Sequence, residues 1–164
     1  MSSLYKTDYT QWLTQQRELL AQRQFDKLDI DNLLEAMEQR MGDTKKELRS
    51  YLRTLLIHLL KYAYQKLVLK DSWVEDKVLY TWIPSINNPR VDIKDHIKEN
   101  PCLQPKIDEV LAEAYSQAKK EAVKQMNKYI KIESKRLNKS GFPEYCPWTF
   151  EKIMDDDWLP EVGK

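Results

Sequence analysis

The chain has 164 residues, 41% of them hydrophobic and 32% charged, with a net charge of +1. That is enough apolar material for one core and too little excess charge for a global field that recruits nucleic acid or a membrane. Its three glycines, Gly42, Gly141 and Gly163, are too few and too scattered for a phosphate-cradling loop, a dinucleotide fingerprint or a serine-hydrolase elbow. Cys102 and Cys146 form no framework or zinc spacing, and the sequence predicts no cofactor. The start MSSLYKTDYTQW has no export pattern and the most apolar run, Leu55 to Leu60, is short. A cytoplasmic protein with no membrane partner is expected.

Asp8 is placed to cap a first helix running to about Gln22, with Tyr9, Trp12, Leu13, Leu19 and Leu20 as a discontinuous apolar face and Phe25 anchoring the connection after it. Ile30, Leu33, Leu34, Met37 and Met41 form the next stripe, after which Gly42 and Asp43 read as a helix stop and a fresh cap, although a helix continuing through Gly42 would cost only about 1 kcal/mol relative to alanine. Leu48, Tyr51, Leu52, Leu55, Leu56, Leu59, Leu60 and Ala63 make a wide band for the central core helix. Residues 72–82, SWVEDKVLYTW, read as a short helix with Trp82 exposed, and IPSINNPR reads as a loop.

After the PCLQP turn, a helix from Pro105 toward Leu137 carries Leu111, Ala114, Tyr115, Ala118, Ala122, Met126, Tyr129 and Ile130 on one side. Its length would be about 50 Å, more than a compact domain needs, so the helix is expected to bend, break or project toward a partner. The tail FPEYCPWTF reads as a strap, with Trp148 and Trp158 clamping it to the core and Thr149 capping a short helix. The expected architecture is all-α: a single helical bundle of five to seven helices over residues 1–164, with a long C-terminal-half helix and a docked C-terminal tail.

The ordered blocks YKTDYTQWL, LDIDNLLEAMEQ, LLIHLLKY, DSW, NPCLQPKIDEVLAEAYSQA and FPEYCPWTFEKIMDDDWLP resemble domain-of-unknown-function family twenty-nine. The resemblance implies a helical bacterial protein, of a family prominent in cyanobacteria, with no assigned activity and no catalytic residues to carry over. It also implies a basic helix after DSW, where this chain has VLYTWIPSINNPR instead.

Few side chains suggest chemistry. Glu35 and Glu38 form E-x-x-E, a spacing at which two carboxylates share a magnesium ion in all-helical pyrophosphohydrolases. Such an enzyme needs a second acidic pair, and Asp92 with Asp95 is the nearest candidate. His58, inside LLIHLL, offers an imidazole but no H-x-x-x-H or E-x-x-H partner, and His96 has the spacing for a surface pair with Asp92. Asp155, Asp156 and Asp157 diverge around a helix, so no metal site is assigned. Lys120, Lys124, Lys128, Lys131, Lys135 and Lys139 fall within one arc of the C-terminal-half helix, and residues 119–139 carry eight basic and two acidic side chains. This stripe suits phosphates or an acidic protein, whereas the six acids and two bases of residues 140–164 suit folding back to neutralise it.

The leading expectation is a non-catalytic protein interaction or regulatory module, with self-association through the long helix. A nucleic-acid-associated protein using the Lys120 to Lys139 stripe is the alternative, and a magnesium-dependent pyrophosphohydrolase at Glu35 and Glu38 is the third reading.

Overall fold

The structure is a computed structural model that describes residues 3–66, 81–128, 133, 136–138 and 141–160. These contain six α-helices and no strand: α1 (Ser3–Thr7), α2 (Tyr9–Ala21), α3 (Ile30–Tyr64), α4 (Ile83–Glu99), α5 (Ile107–Asn127) and α6 (Phe150–Met154). The chain divides into two compact units, Met1–Asp43 and Thr44–Lys164, and α3 contributes residues to both.

In the N-terminal unit, the Asp8 side chain accepts from the Gln11 amide at 2.9 Å and starts α2 as its spacing predicts. The helix ends in a Schellman arrangement, with the Arg23 amide on the Leu20 carbonyl and the Gln24 amide on the Leu19 carbonyl. Arg23 takes the left-handed position, φ 58°, that glycine usually fills. α2 lies antiparallel to the start of α3. Trp12 Nε1 donates to Asp29 Oδ2 at 3.0 Å and the Asp29 amide donates to Gln16 Oε1 at 2.7 Å, while Tyr9 borders a hollow lined by Ala36, Gln39, Arg40 and Asp43. Phe25, expected to anchor the connection after α2, is 60% exposed.

The second unit holds the core. Leu48, Leu52, Leu55, Leu56, Leu59 and Leu60 of α3 are buried, as their 3.6-residue period requires, together with Ile86 and Ile93 of α4. Ala114, Ala118 and Ala122 bring α5 close to this layer through one small-residue face, each fully buried. Lys45 bonds Glu109 at 2.6 Å, Arg49 bonds Glu113 at 2.9 Å and Lys61 bonds Gln125 at 3.2 Å, each pair 64 residues apart. A constant offset fixes α3 and α5 as parallel helices in one register.

Three expected breaks fall elsewhere. No break occurs at Gly42, because α3 continues through it with no positive φ, and a Cβ there would meet nothing within 4 Å. The longest helix is therefore α3, at 35 residues. The IPSINNPR segment is the first part of α4, not a loop. Pro84 sits in the first turn, where no amide is needed, and the interior Pro89 is held because its neighbour Arg90 is fully buried against the tail. The helix expected to reach Leu137 ends at Asn127, whose side chain donates to the Leu137 carbonyl at 2.7 Å and accepts from its amide at 2.8 Å. Ten further helical residues would separate those positions by about 15 Å, so Leu137 does not lie on a straight continuation of α5. Trp82 is partly buried, edge-on to Tyr62 at 5.5 Å, and most of SWVEDKVLYTW lies outside the described residues.

The tail docks as expected. Trp148 and Trp158 meet edge to face at 5.6 Å and pack against the core, and Thr149 caps α6. The deeper anchor is Arg90, which donates to the carbonyl oxygens of Ile153 at 2.7 Å, Trp158 at 2.7 Å and Asp156 at 3.3 Å.

Candidate functional site

The stripe that begins α3 has the expected helix and an unexpected environment. Ile30, Leu34, Met37 and Met41 are between 50% and 60% exposed. Their spacing of four, three and four residues is the alternation of a helix–helix seam rather than a scattered surface. On α2, Leu13 is 44% and Leu20 54% exposed. At 100° per residue, Leu13 and Leu20 lie to one side of the Trp12 and Gln16 direction that meets α3. Because the helices are antiparallel, the α3 stripe lies on the same side of the pair. Six large apolar side chains thus form one open face, which roughly amounts to 650 Å² when full side-chain areas of about 200 Å² are scaled by exposure. A monomer's largest apolar patch is ordinarily about 300–600 Å².

The rim of this face is polarised. Arg17, exposed, borders Leu13 and Leu20 at the α2 edge, and Asp31 and Glu38, both exposed, border the α3 edge. Within the unit, only Trp12 and Gln16 are buried among the described residues.

Glu35 and Glu38 are exposed on α3 in the N-terminal unit, while Asp92 and Asp95 are exposed on α4 in the other. Among the described residues no group of three His, Cys, Asp or Glu side chains is placed to hold a metal ion. His58 is half-buried beside a hollow of about 120 Å³ lined by Lys61, Thr81, Trp82 and Ser85. Burial, then the Lys61 charge, pushes its imidazole below the usual histidine range, so it is neutral at pH 7. His96 is no surface partner of Asp92. It is 8% exposed, its Nε2 lies 2.9 Å from the Thr44 carbonyl oxygen, and its Nδ1 is 3.6 Å from Glu47.

Of the lysine stripe, Lys120, Lys124 and Lys128 are exposed along the end of α5. Lys131, Lys135 and Lys139 lie outside the described residues. In the tail, Asp156 pairs with Lys94 of α4 at 2.9 Å and Asp155 accepts from the Asp157 amide. Lys119 donates to the carbonyls of Pro143 at 3.1 Å and Glu144 at 2.8 Å. Tail and α5 thus meet through backbone oxygens at Lys119.

A hollow of about 820 Å³ is an open groove between α5 and the tail, lined by Leu111, Tyr115, Lys119, Cys146, Trp148 and Phe150 among others. Two of its lining groups, Tyr115 and Cys146, are held toward their protonated forms. Burial, and then the charge of Cys146, pushes the Tyr115 phenol up to about 12, and its hydroxyl donates to the Pro143 carbonyl at 2.9 Å. Burial also pushes the Cys146 thiol up, and its S–H donates to the Trp148 carbonyl at 3.3 Å. A protonated thiol and phenol supply neither nucleophile nor base at neutral pH.

The feature that sequence reasoning missed is the exposure of the α3 stripe. Its only sequence signal is the strict seam spacing combined with two methionines, which periodicity cannot tell from a buried face.

Fold and site together define an all-helical protein with an open apolar face on its N-terminal helix pair. The family described as "Domain of unknown function DUF29" matches residues 4–159, and the chain belongs to that family. No curated protein and no solved structure matches it. Among the described residues no helix is long and apolar enough to cross a membrane.

Proposed function

We propose that this protein is a non-catalytic interaction module, bacterial as the family resemblance implies and cytoplasmic as its sequence leads one to expect, whose binding surface is the open face of α2 and the start of α3. The observation that carries this reading is the exposure of Leu13, Leu20, Ile30, Leu34, Met37 and Met41 on one side of a helix pair. Water-exposed apolar area of this size favours association, because each Å² covered returns about 25 cal/mol before ordering costs are subtracted. The seam spacing on α3 suits a partner that presents helices. The shorter α5, at 21 residues, no longer offers the excess length that pointed to self-association through that element.

The test is site-specific photo-crosslinking in intact cells, with the reactive group in turn at Leu34, Met37 and Arg53 of the full chain. Leu34 and Met37 are expected to give adducts with one protein species, while Arg53, exposed on α3 in the other unit, gives none. Absence of protein adducts at Leu34 and Met37, or the same adducts at Arg53, overturns the reading.

The nucleic-acid alternative has Lys120, Lys124 and Lys128 for support, spaced four residues apart over about 12 Å of helix. That reach covers few phosphates, and binding through it would weaken steeply with salt. Binding indifferent to salt, or unchanged by Lys124→Glu, contradicts it. The pyrophosphohydrolase reading keeps only Glu35 and Glu38, and no thermal shift with magnesium and a nucleotide counts against it.

A further inference from the structure

We infer that the occupant of the open face is a second copy of this chain, so that two N-terminal helix pairs close into one four-helix bundle. This rests on the interaction-module reading and names its partner. Three observations carry it.

The N-terminal unit is half of a folded object. A helix pair that buries only one tryptophan and one glutamine has almost no core, and layers this thin need a further layer to sequester their apolar side. Two copies placed face to face would supply that layer to each other, burying Leu13, Leu20, Ile30, Leu34, Met37 and Met41 from both chains.

The area fits a symmetric dimer. The six side chains leave roughly 650 Å² of apolar surface per copy, and the polar rim brings this toward the ~800 Å² per partner of an ordinary stable interface.

The rim charges are self-complementary. One edge carries Arg17 and the other carries Asp31 and Glu38. A two-fold rotation about an axis parallel to the helices sets each α2 beside the partner's α3, antiparallel to it. The basic edge of each copy then lies along the acidic edge of the other. The alternative rotation, about an axis across the helices, brings like edges together and is disfavoured by repulsion.

Sedimentation equilibrium of the purified full chain tests the inference. The parent is expected to be a reversible dimer. The double variant Leu34→Glu with Met37→Glu is expected to be a monomer with parental helicity by circular dichroism. Arg17→Glu is expected to weaken the dimer about tenfold, and adding Asp31→Arg, which this rotation sets at the height of Arg17, to restore most of that loss. The charge swap decides the matter should the double variant fail to fold, since it touches only exposed side chains. A parent that stays monomeric overturns the inference, as does a dimer indifferent to Leu34→Glu with Met37→Glu or to the charge swap. If a monomeric parent still cross-links from Leu34 to a different protein in cells, this inference fails and the interaction-module reading stands. If nothing is captured from Leu34, both fail.

Discussion

Arg49 Nη1 donates to Glu113 Oε2 at 2.9 Å, joining α3 to the helix 64 residues further along the chain. Lys45 lies 3.4 Å from the other oxygen of the same carboxylate. Hydrogen bonding by Arg49 holds the Glu113 carboxyl below its ordinary value of 4.5; desolvation opposes this less strongly, and the Lys45 charge adds a smaller lowering. A carboxylate with a depressed folded-state value stabilises the fold above its unfolded value, and that stability is lost as pH falls through the folded one. Denaturant unfolding of the parent and Glu113→Gln should therefore differ at pH 6 and converge as pH falls from 4.5 through the lowered value. Because the side chain is 36% exposed, solvent screening limits the difference to about 1 kcal/mol or less. Added salt should shrink it.

Arg90 should be the costliest single truncation of the larger unit. Its guanidinium is fully buried and bonds three tail carbonyls and Asn87 Oδ1. Arg90→Ala is expected to lose about 3–5 kcal/mol, because those buried oxygens lose their donors. Arg90→Lys should recover only part, since an ammonium cannot reproduce the planar fork. Limited proteolysis of residues 141–160 checks the cause: cleavage there should accelerate in both variants, and more in Arg90→Ala.

Gly42 decides whether α3 is continuous. In an unbroken helix with open space at its Cβ position, Gly42→Ala should stabilise by about 1 kcal/mol. At a helix stop with a left-handed glycine it would destabilise. Thermal unfolding followed at 222 nm reads the sign.

Asp29 joins the N-terminal helices by accepting from buried Trp12 at 3.0 Å and from Asn32 at 2.7 Å. Asp29→Ala leaves the indole N–H without its acceptor, a loss of about 1–3 kcal/mol. Hydrogen exchange should quicken across residues 9–21 while residues 48–60 keep parental rates. Uniform quickening of both would contradict the division of the chain into two compact units.

The sequence made the apolar interior of the larger unit readable because Leu48 to Leu60 repeats at helical period and is buried where the period places it. Composition likewise announced the helical class, and the tryptophans of the tail announced its docking. What remained hidden depends on partners distant in sequence. Nothing local to NNPR says that the next arginine satisfies carbonyls more than 60 residues away and so keeps a proline inside a helix. Nothing local to Asn127 says that its amide will close on residue 137 rather than let α5 continue. Periodicity also reports a face without reporting what covers it, so the stripe Ile30, Leu34, Met37 and Met41 looks the same whether it meets its own chain, another copy or water.

Methionine oxidation in intact cells tests the covered face most directly, with Met126, 5% exposed in the core, as the internal standard and Met37 and Met41, at 60% and 58%, as probes. If a partner covers the face, Met37 and Met41 oxidise about as slowly as Met126 in the parent and several-fold faster in Leu34→Glu. If they oxidise several-fold faster than Met126 in the parent as well, the face is open to water in the cell and the account is contradicted.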